Sequence, residues 1–411
     1  MEKSIMGNLT DHEIQEMINQ TEERMKQSDH TLQNVSGTNS IYKKELATRN
    51  LLVVGCGDGG CNIASQIHEA VPETIVIAYN TSAKAMDKIY ADIRILPTKE
   101  DGSGKVRTYS QDIFKKGSYN FLLKSVKEMV EKMSNLEYIL VTSTTDGGTG
   151  GGVSPMVAKL IHDNVDIPVI MIGVYPSLKE DKTSMYNAIA WQSEIEKIGI
   201  PYMVLDNNAI DDTKTLVHSR VNETVAHAAE IINGKLYGET NISAIDNRDM
   251  LMLLNQIGGR ISIYTTQDRP VLGTNLDDFL MDLIQNKCPE MIGPDHSRGI
   301  GLFLKGPADL IESTDTSLTK FKQQYGDVTA QYVHLEVSNE VCISLVCTGS
   351  VAPHKRLAMM RQRYDDIQRM EDAAKAQNST SSLMDGMGNP LGSTKTTKRE
   401  SDELDLSALD L

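Results

Sequence analysis

The chain has 411 residues, more than one hydrophobic core usually serves, so it reads as two domains with tails. A formal net charge of -15 excludes a protein that coats nucleic acid by itself; any approach to DNA needs a partner or a local basic patch. Five scattered cysteines (Cys56, Cys61, Cys288, Cys342, Cys347) lack metal spacing, Met1–Thr10 is polar, and the longest apolar run is Ile167–Tyr175, so a soluble intracellular chain with reduced thiols and no membrane contact is expected.

Residues 1–48 are polar and charged, with an amphipathic helix expected over Asp11–Gln27 and a Ser/Thr/Asn-rich link over Thr31–Ser40. They read as an appendage. Over 49–209 apolar strands alternate with helical stretches: LLVVG, TIVIAYN, ADIRILP, YILVTST, PVIMIGVY and PYMVLDN are expected as buried strands. Ile63, Ile67 and Val71 share one helical face between them. This alternation predicts a doubly wound parallel α/β sheet, whose ligand sits at the carboxyl ends of its strands. Residues 210–249 hold a long central helix, with Val217, Val221, Val225, Ala228 and Ile232 on one apolar face, and the loop that follows it.

Over 250–350 the pattern changes. RISIYTT, RGIGLFLKG, QYVHLEVS and EVCISLVCTG alternate polar and apolar residues, as a second, smaller α/β domain with an open sheet face would. Residues 351–376 read as a carboxyl-terminal helix opened by Pro353. Its stripe Leu357, Met360, Tyr364 and Ile367 should pack on the body, leaving Lys355, Arg356, Arg363 and Arg369 on a solvated face instead of on DNA. Residues 377–411 lack periodicity and are expected to be disordered. They end in ESDELDLSALDL, where Glu400, Asp402, Glu403, Asp405 and Asp410 interleave with leucines. Such a segment suits docking in a groove better than solubility alone.

The chemistry lies in two glycine-rich loops, each after an apolar strand and before a helix: GCGDGGCN (Gly55–Asn62) and DGGTGGG (Asp146–Gly152). Glycine lets backbone N–H groups approach a phosphate, and the helix dipole adds positive potential there. Gly55, Gly57 and Gly60 satisfy G-x-G-x-x-G. A nicotinamide dehydrogenase, however, needs an acid after the second strand, where Asn80 and Thr81 stand, and has no use for the second loop. No G-x-x-x-x-G-K-[ST] is present either. The two loops together point to a nucleoside triphosphate gripped from two sides.

With these residues the chain resembles the tubulin/FtsZ superfamily of GTP-dependent filament formers over about residues 50–350. DGGTGGG is similar to the family's G-G-G-T-G-[ST]-G signature, and GCGDGGCN to its G-x-G-G-x-G-x-N first loop. The resemblance implies a GTP/GDP site with Mg²⁺. Gly55, Gly57, Asp58, Gly59 and Gly60 would meet the α- and β-phosphates, and Asn62 the ribose or base. Asn80 and Thr81 match the second loop. Gly102, Ser103, Gly104 and Lys105 take the place of the loop that senses the γ-phosphate. Gly147, Gly148, Thr149, Gly150 and Gly151 would cradle the phosphates, and Glu180 would contact the ribose. Asn207 or Asn208, together with Asn222, would read guanine, a task for which an amide both donates and accepts.

Two departures from the pattern stand out. Asp146 replaces the first signature glycine; it either holds Mg²⁺ through water or points away as a turn residue. Ala244 replaces the Asn of the catalytic N-x-D-x-x-D loop, although both acids survive as Asp246 and Asp249. Taken alone, either Asp also suits a helix cap.

The resemblance further implies that Asp246 and Asp249 complete the site of the neighbouring subunit in a head-to-tail filament. The long carboxyl helix and acidic end are most like the phage and plasmid branch (PhuZ and TubZ). Its members position or segregate DNA, through an adaptor here, in a bacterial cytoplasm. The tail 400–411 would dock on a neighbour, with the basic helix 355–369 as acceptor. An FtsZ-like division ring and a nucleotide-binding scaffold without turnover are the alternatives.

Overall fold

Unbroken runs rich in Val, Ile and Leu make strands that are buried on both faces. In the computed structural model, which describes residues 50–98, 102–209, 214–234, 243–270, 275–326 and 328–384, such runs form β1 (Leu51–Cys56), β2 (Thr74–Tyr79), β4 (Tyr138–Thr144), β5 (Val169–Tyr175) and β6 (Tyr202–Asp206). A short β3 (Ile93–Ile95) flanks β2. The second half adds β7 (Arg260–Thr266), β8 (Gly299–Gly306), β9 (Ala330–Val337) and β10 (Cys342–Ser350). The expected helix Asp11–Gln27 and the tail 400–411 lie outside the described residues.

All ten strands join in one sheet, in the order β3-β2-β1-β4-β5-β6-β7-β10-β8-β9. Strands β1 to β6 are parallel, so the first half is the doubly wound arrangement, and the order reverses between β1 and β4. A crevice opens at that reversal, outside the carboxyl ends of the strands. The second half is mixed: β10 runs antiparallel to β7 and β8, and β9 parallel to β8. It continues the first sheet through β6 and β7, which pair only at Tyr202–Arg260 and Met203–Ile261.

The helices that bear on the site are α1 (Gly57–Ala70), α2 (Gly148–His162), α3 (Lys182–Ile198), α4 (Lys214–Ile232), α5 (Asn247–Leu251) and α6 (His354–Met384). Alternation along β1 feeds two cores. Leu51 and Val53 join Ile63 and Ile67 of α1 and Val221 and Val225 of α4, while Leu52 and Val54 join α2, α3 and α6 on the other face. The five apolar positions expected on the central helix are all buried.

Three details differ from the sequence reading. First, β3 is only half-buried. Second, β8 and β10 are almost wholly buried, and β9 alone keeps a partly open face. Small residues make this possible: a Cβ on Gly301 would come within 2.6 Å of Leu253 Cδ2, so the helical segment after α5 presses directly on the strand. Third, α6 continues past Ala376 to Met384. The polar stretch Gln377–Ser382 is weakly helix-forming but holds no Gly or Pro, and the first glycine beyond it is Gly386.

Candidate functional site

Two helices begin at the crevice, and neither start is capped. The residue before α1, Cys56, and the residue before α2, Gly147, make no side-chain hydrogen bond to the first turn. Close by, Asp181 caps α3 and Ser82 caps the short helix Ala83–Met86. A missing cap forgoes about 1 kcal/mol of stability and leaves first-turn N–H groups without partners. At two adjacent helix starts, that arrangement suits an anion.

The cavity between them measures about 320 Å³. Gly57, Asp58 and Gly59 line it from α1, and Asp146, Gly147, Gly148, Thr149 and Gly150 line it from α2 and the preceding loop. Asn80 and Thr81 close one side; Gly102, Ser103, Gly104 and Lys105 close another. The loops are locked to one another. Thr149 Oγ1 lies 2.7 Å from Thr81 Oγ1 and 3.2 Å from Ser103 Oγ, and Asn80 Nδ2 donates to Asp58 Oδ1 at 2.6 Å. Gly57 has φ +71°, and a Cβ there would stand 2.7 Å from the Gly150 nitrogen, so the two glycine loops interlock where no larger residue fits.

Other residues expected at the ligand lie elsewhere. Gly55, Gly60 and Gly151 do not line the cavity. Their missing Cβ atoms clear backbone: a Cβ on Gly60 would lie 2.2 Å from the Thr142 carbonyl oxygen, and one on Gly151 2.1 Å from that of Thr145. Gly55 and Gly60 seat α1 against β1 and β4, and Gly151 seats α2 against Thr145, just after β4. Asn62 is exposed on α1, and Asn222 is half-buried on α4; neither lines the cavity. Glu180 lies beside it, its carboxylate 3.9 Å from Lys105 Nζ. Asn207 and Asn208 follow β6. Asn208 Oδ1 accepts from the Leu178 N–H at 2.9 Å and so braces the loop 176–181, while Asn207 Oδ1 is buried with no hydrogen-bond partner.

Lys105 points along the cavity wall toward α3, donating to Asp181 Oδ2 and Ser184 Oγ, each at 2.7 Å. Two residues that carried no sequence signal hold this corner together. Asn187 Nδ2 donates to the carbonyls of Asp146 (2.7 Å) and Lys105 (3.0 Å), and buried Arg107 donates to the carbonyls of Gly151 and Asn187 and pairs with Glu194. A lone Arg after Lys-Val belongs to no motif, and only the fold reveals its burial.

Asp146 is the one carboxylate among the glycines of the second loop. Burial raises its pKa above the ordinary value, an effect that its own backbone N–H and Lys105 offset in part. The raised value means that the ionised form opposes folding. This penalty is absent below the ordinary carboxylate pKa and fully developed once the pH exceeds the raised one. Asp146→Asn should therefore unfold at a higher temperature than the wild type at neutral pH, and the gap should close in acid; a gap that persists there would point to a different cause. Among the described residues no group of three or more His, Cys, Asp or Glu forms a metal cage. A divalent cation would have Asp146 and the ligand's own phosphates as its donors, as small hard cations do at triphosphates.

The pair Asp246 and Asp249 lies at the opposite end of the sheet. Asp246 Oδ1 accepts from the Asp249 N–H at 2.8 Å, and Asp249 Oδ2 from the Asp246 N–H at 3.2 Å, a reciprocal capping box at the start of α5. Their neighbour Asn247 donates to Glu137, and the Glu137 N–H donates to the Asn50 carbonyl; Glu137 and Asn50 directly precede β4 and β1. The acids thus stand at the amino ends of the strands whose carboxyl ends hold the cavity. Both are solvent-accessible.

A doubly wound sheet with two uncapped helix starts at its reversal is an arrangement suited to a phosphate. Residues 50–214 match the family model described as the tubulin/FtsZ family GTPase domain. The chain is similar to cell division protein FtsZ 2 of Methanocaldococcus jannaschii, 27% identical over 218 residues that make up 51% of this chain and 53% of the relative. It is also similar to the tubulin-like protein TubZ of Clostridium botulinum C phage, 26% identical over 197 residues, 43% of this chain and 52% of that protein. The matched stretch spans about half the length of these relatives. The fold is shared with the TubZ of Bacillus thuringiensis serovar israelensis, solved as a GTPγS-form protofilament: TM-score 0.66 and 17% identity, covering 81% of this chain and 94% of that one. No helix among the described residues is long and apolar enough to cross a membrane.

Proposed function

We propose that the chain binds GTP in this cavity, hydrolyses it between successive subunits and assembles head to tail into a filament. One observation carries the reading: the cavity and the exposed Asp246–Asp249 pair lie at opposite ends of the same strands. A six-residue strand such as β1 spans about 20 Å. A subunit cannot bring its own carboxylates to its own phosphates, but stacking one subunit on the next can. Contacts of that kind do not close on themselves, so the product is a filament.

Within the site, the N–H groups of Gly57, Gly59 and Gly147–Gly150 hold the phosphates, and Thr81, Ser103 and Thr149 supply hydroxyls beside them. Lys105, on the cavity wall, would sense the terminal phosphate, and Glu180, Asn207, Asn208 and Asn222, which stand outside the cavity lining, would serve the ribose and base. Mg²⁺, held through Asp146 and the phosphates, would neutralise charge. Asp246 and Asp249 of the next subunit orient the attacking water, which is most of what phosphoryl transfer asks of a protein. The cellular role we favour, supported by the likeness to the phage protein TubZ, is the positioning or segregation of phage or plasmid DNA in a bacterial cytoplasm, and a net charge of -15 calls for an adaptor between chain and DNA.

The test is GTP turnover per subunit against protein concentration, with electron microscopy of the same samples. Turnover should rise steeply where filaments first form. A constant specific rate across that threshold would overturn the reading. Two observations favour other readings. The similarity to FtsZ proteins favours a division ring, which binding of the chain to membrane-anchor proteins would reveal. Ala244, standing in the acidic loop, favours a scaffold without turnover, which filaments with no phosphate release would reveal.

A further inference from the structure

Of the four basic residues expected on the solvated face of α6, Lys355 and Arg369 are exposed, but Arg356 and Arg363 reach under the loops beside the cavity. Arg356, 6% exposed, donates from Nε to Asp206 Oδ2 at 2.6 Å and from Nη2 to Asp206 Oδ1 at 3.0 Å. The same Nη2 donates to the Pro176 carbonyl at 2.6 Å. Two turns further along, Arg363 Nε donates to the Leu178 carbonyl at 2.9 Å. From the other side Asn208 grips the same loop at the Leu178 N–H, and its own N–H donates to Asp206 Oδ1 at 2.9 Å. The Asp206 carboxylate is therefore shared between α6 and the turn that carries Asn207 and Asn208.

Anchoring alone does not require this arrangement. Leu357, Met360 and Tyr364 already bury the inner stripe of α6 in the core. A buried ion pair adds little net stability over an apolar pair of the same size, whereas a two-pronged guanidinium–carboxylate contact fixes orientation closely. Two atoms of the cluster remain buried without a hydrogen-bond partner: Nη1 of Arg356, a donor, and Oδ1 of Asn207, an acceptor. Buried polar atoms are seldom left this way, and here they flank the segment that follows β6.

We propose that Arg356 is a positioning residue of the nucleotide site. By fixing the loop from Pro176 to Asp181 and the turn from Asp206 to Asn208, it shapes the side of the site that takes the ribose and the purine, and it makes α6 part of that site. This rests on the GTP reading above. The lysine variant, Arg356→Lys, keeps the charge but loses the fork, so it should not rescue.

The test uses the full-length chain, with GDP titrated by equilibrium binding, GTP turnover measured at saturation and nucleotide-free unfolding recorded for each variant. In Arg356→Lys and Arg356→Met, GDP affinity should fall at least about tenfold, with kcat at saturating GTP little changed. The pair Asp206→Leu/Arg356→Met, which leaves no charge unpaired, should regain unfolding temperature without regaining affinity. Unchanged GDP affinity in Arg356→Lys, which is expected to fold even where Arg356→Met does not, overturns the proposal alone. So does affinity that follows unfolding temperature across all variants. A wild-type chain that fails to bind GDP removes the GTP reading and the proposal together.

Discussion

Replacing Asp249 by asparagine should lower GTP turnover about 10²- to 10⁴-fold, the range for loss of a positioned proton acceptor, while GDP affinity stays unchanged. The choice of asparagine matters. Asp249 also accepts the Asp246 N–H, and an amide oxygen can still do so, so the start of α5 survives. Asp249→Ala removes that acceptor too and should cost about 1 kcal/mol of stability in addition. Both variants should give filaments that persist, because subunits still load nucleotide but no longer cleave it. Turnover within about twofold of wild type in the asparagine variant would take Asp249 out of the catalytic step and favour its service as a cap alone.

A second large effect is expected at Gly151. An added Cβ would lie 2.1 Å from the Thr145 carbonyl oxygen and 2.9 Å from the carbonyl carbon, backbone that cannot swing aside. Gly151→Ala must therefore lift the first turn of α2 off the backbone at the end of β4, at a cost near the ~3 kcal/mol upper range for overpacking. The N–H groups of Gly148–Gly150 move with that turn, so GDP affinity should fall by about two orders of magnitude or more, roughly 3 kcal/mol of binding. Gly147 is the control. Its nearest neighbours to an added Cβ stand at 3.9 and 4.0 Å, so Gly147→Ala should keep wild-type unfolding. Thermal unfolding and GDP titration of the two variants decide the matter. Equal stability for both would mean that the second glycine loop is not seated as tightly as these distances state.

Much of the architecture was legible because it depends on local pattern. Apolar runs bounded by glycine turns gave the strands of the first half, and four-residue spacing gave the buried face of α4. The loops at the strand ends were legible too, since a strand, a glycine turn and a helix start are contiguous in the chain. What stayed hidden depends on contacts between distant residues. Gly60 and Gly151 look like phosphate glycines in the sequence, yet the backbone of β4 and of Thr145 just after it is what excludes a side chain there. Arg356 looks like one charge among several on an exposed face. Its partner Asp206 lies 150 positions earlier, and no helical periodicity encodes that distance. The extent of burial of β8 and β10 was likewise set by the helices that cover them, which alternation within a strand does not report.

The narrow ladder between β6 and β7 has a mechanical meaning. Two residue pairs are all that stitch the nucleotide half to the other half within the sheet, fewer than at any neighbouring pair of strands. A shearing load breaks the fewest backbone bonds along that line, so the sheet is a plank with its weakest seam near the middle. The buried guanidinium of Arg260, fastened to the carbonyls of Val351, Ile292 and Gly293, stiffens the second half's side of the seam without crossing it. Twisting one end of such a plank against the other concentrates the strain there and spares the strands that carry the cavity.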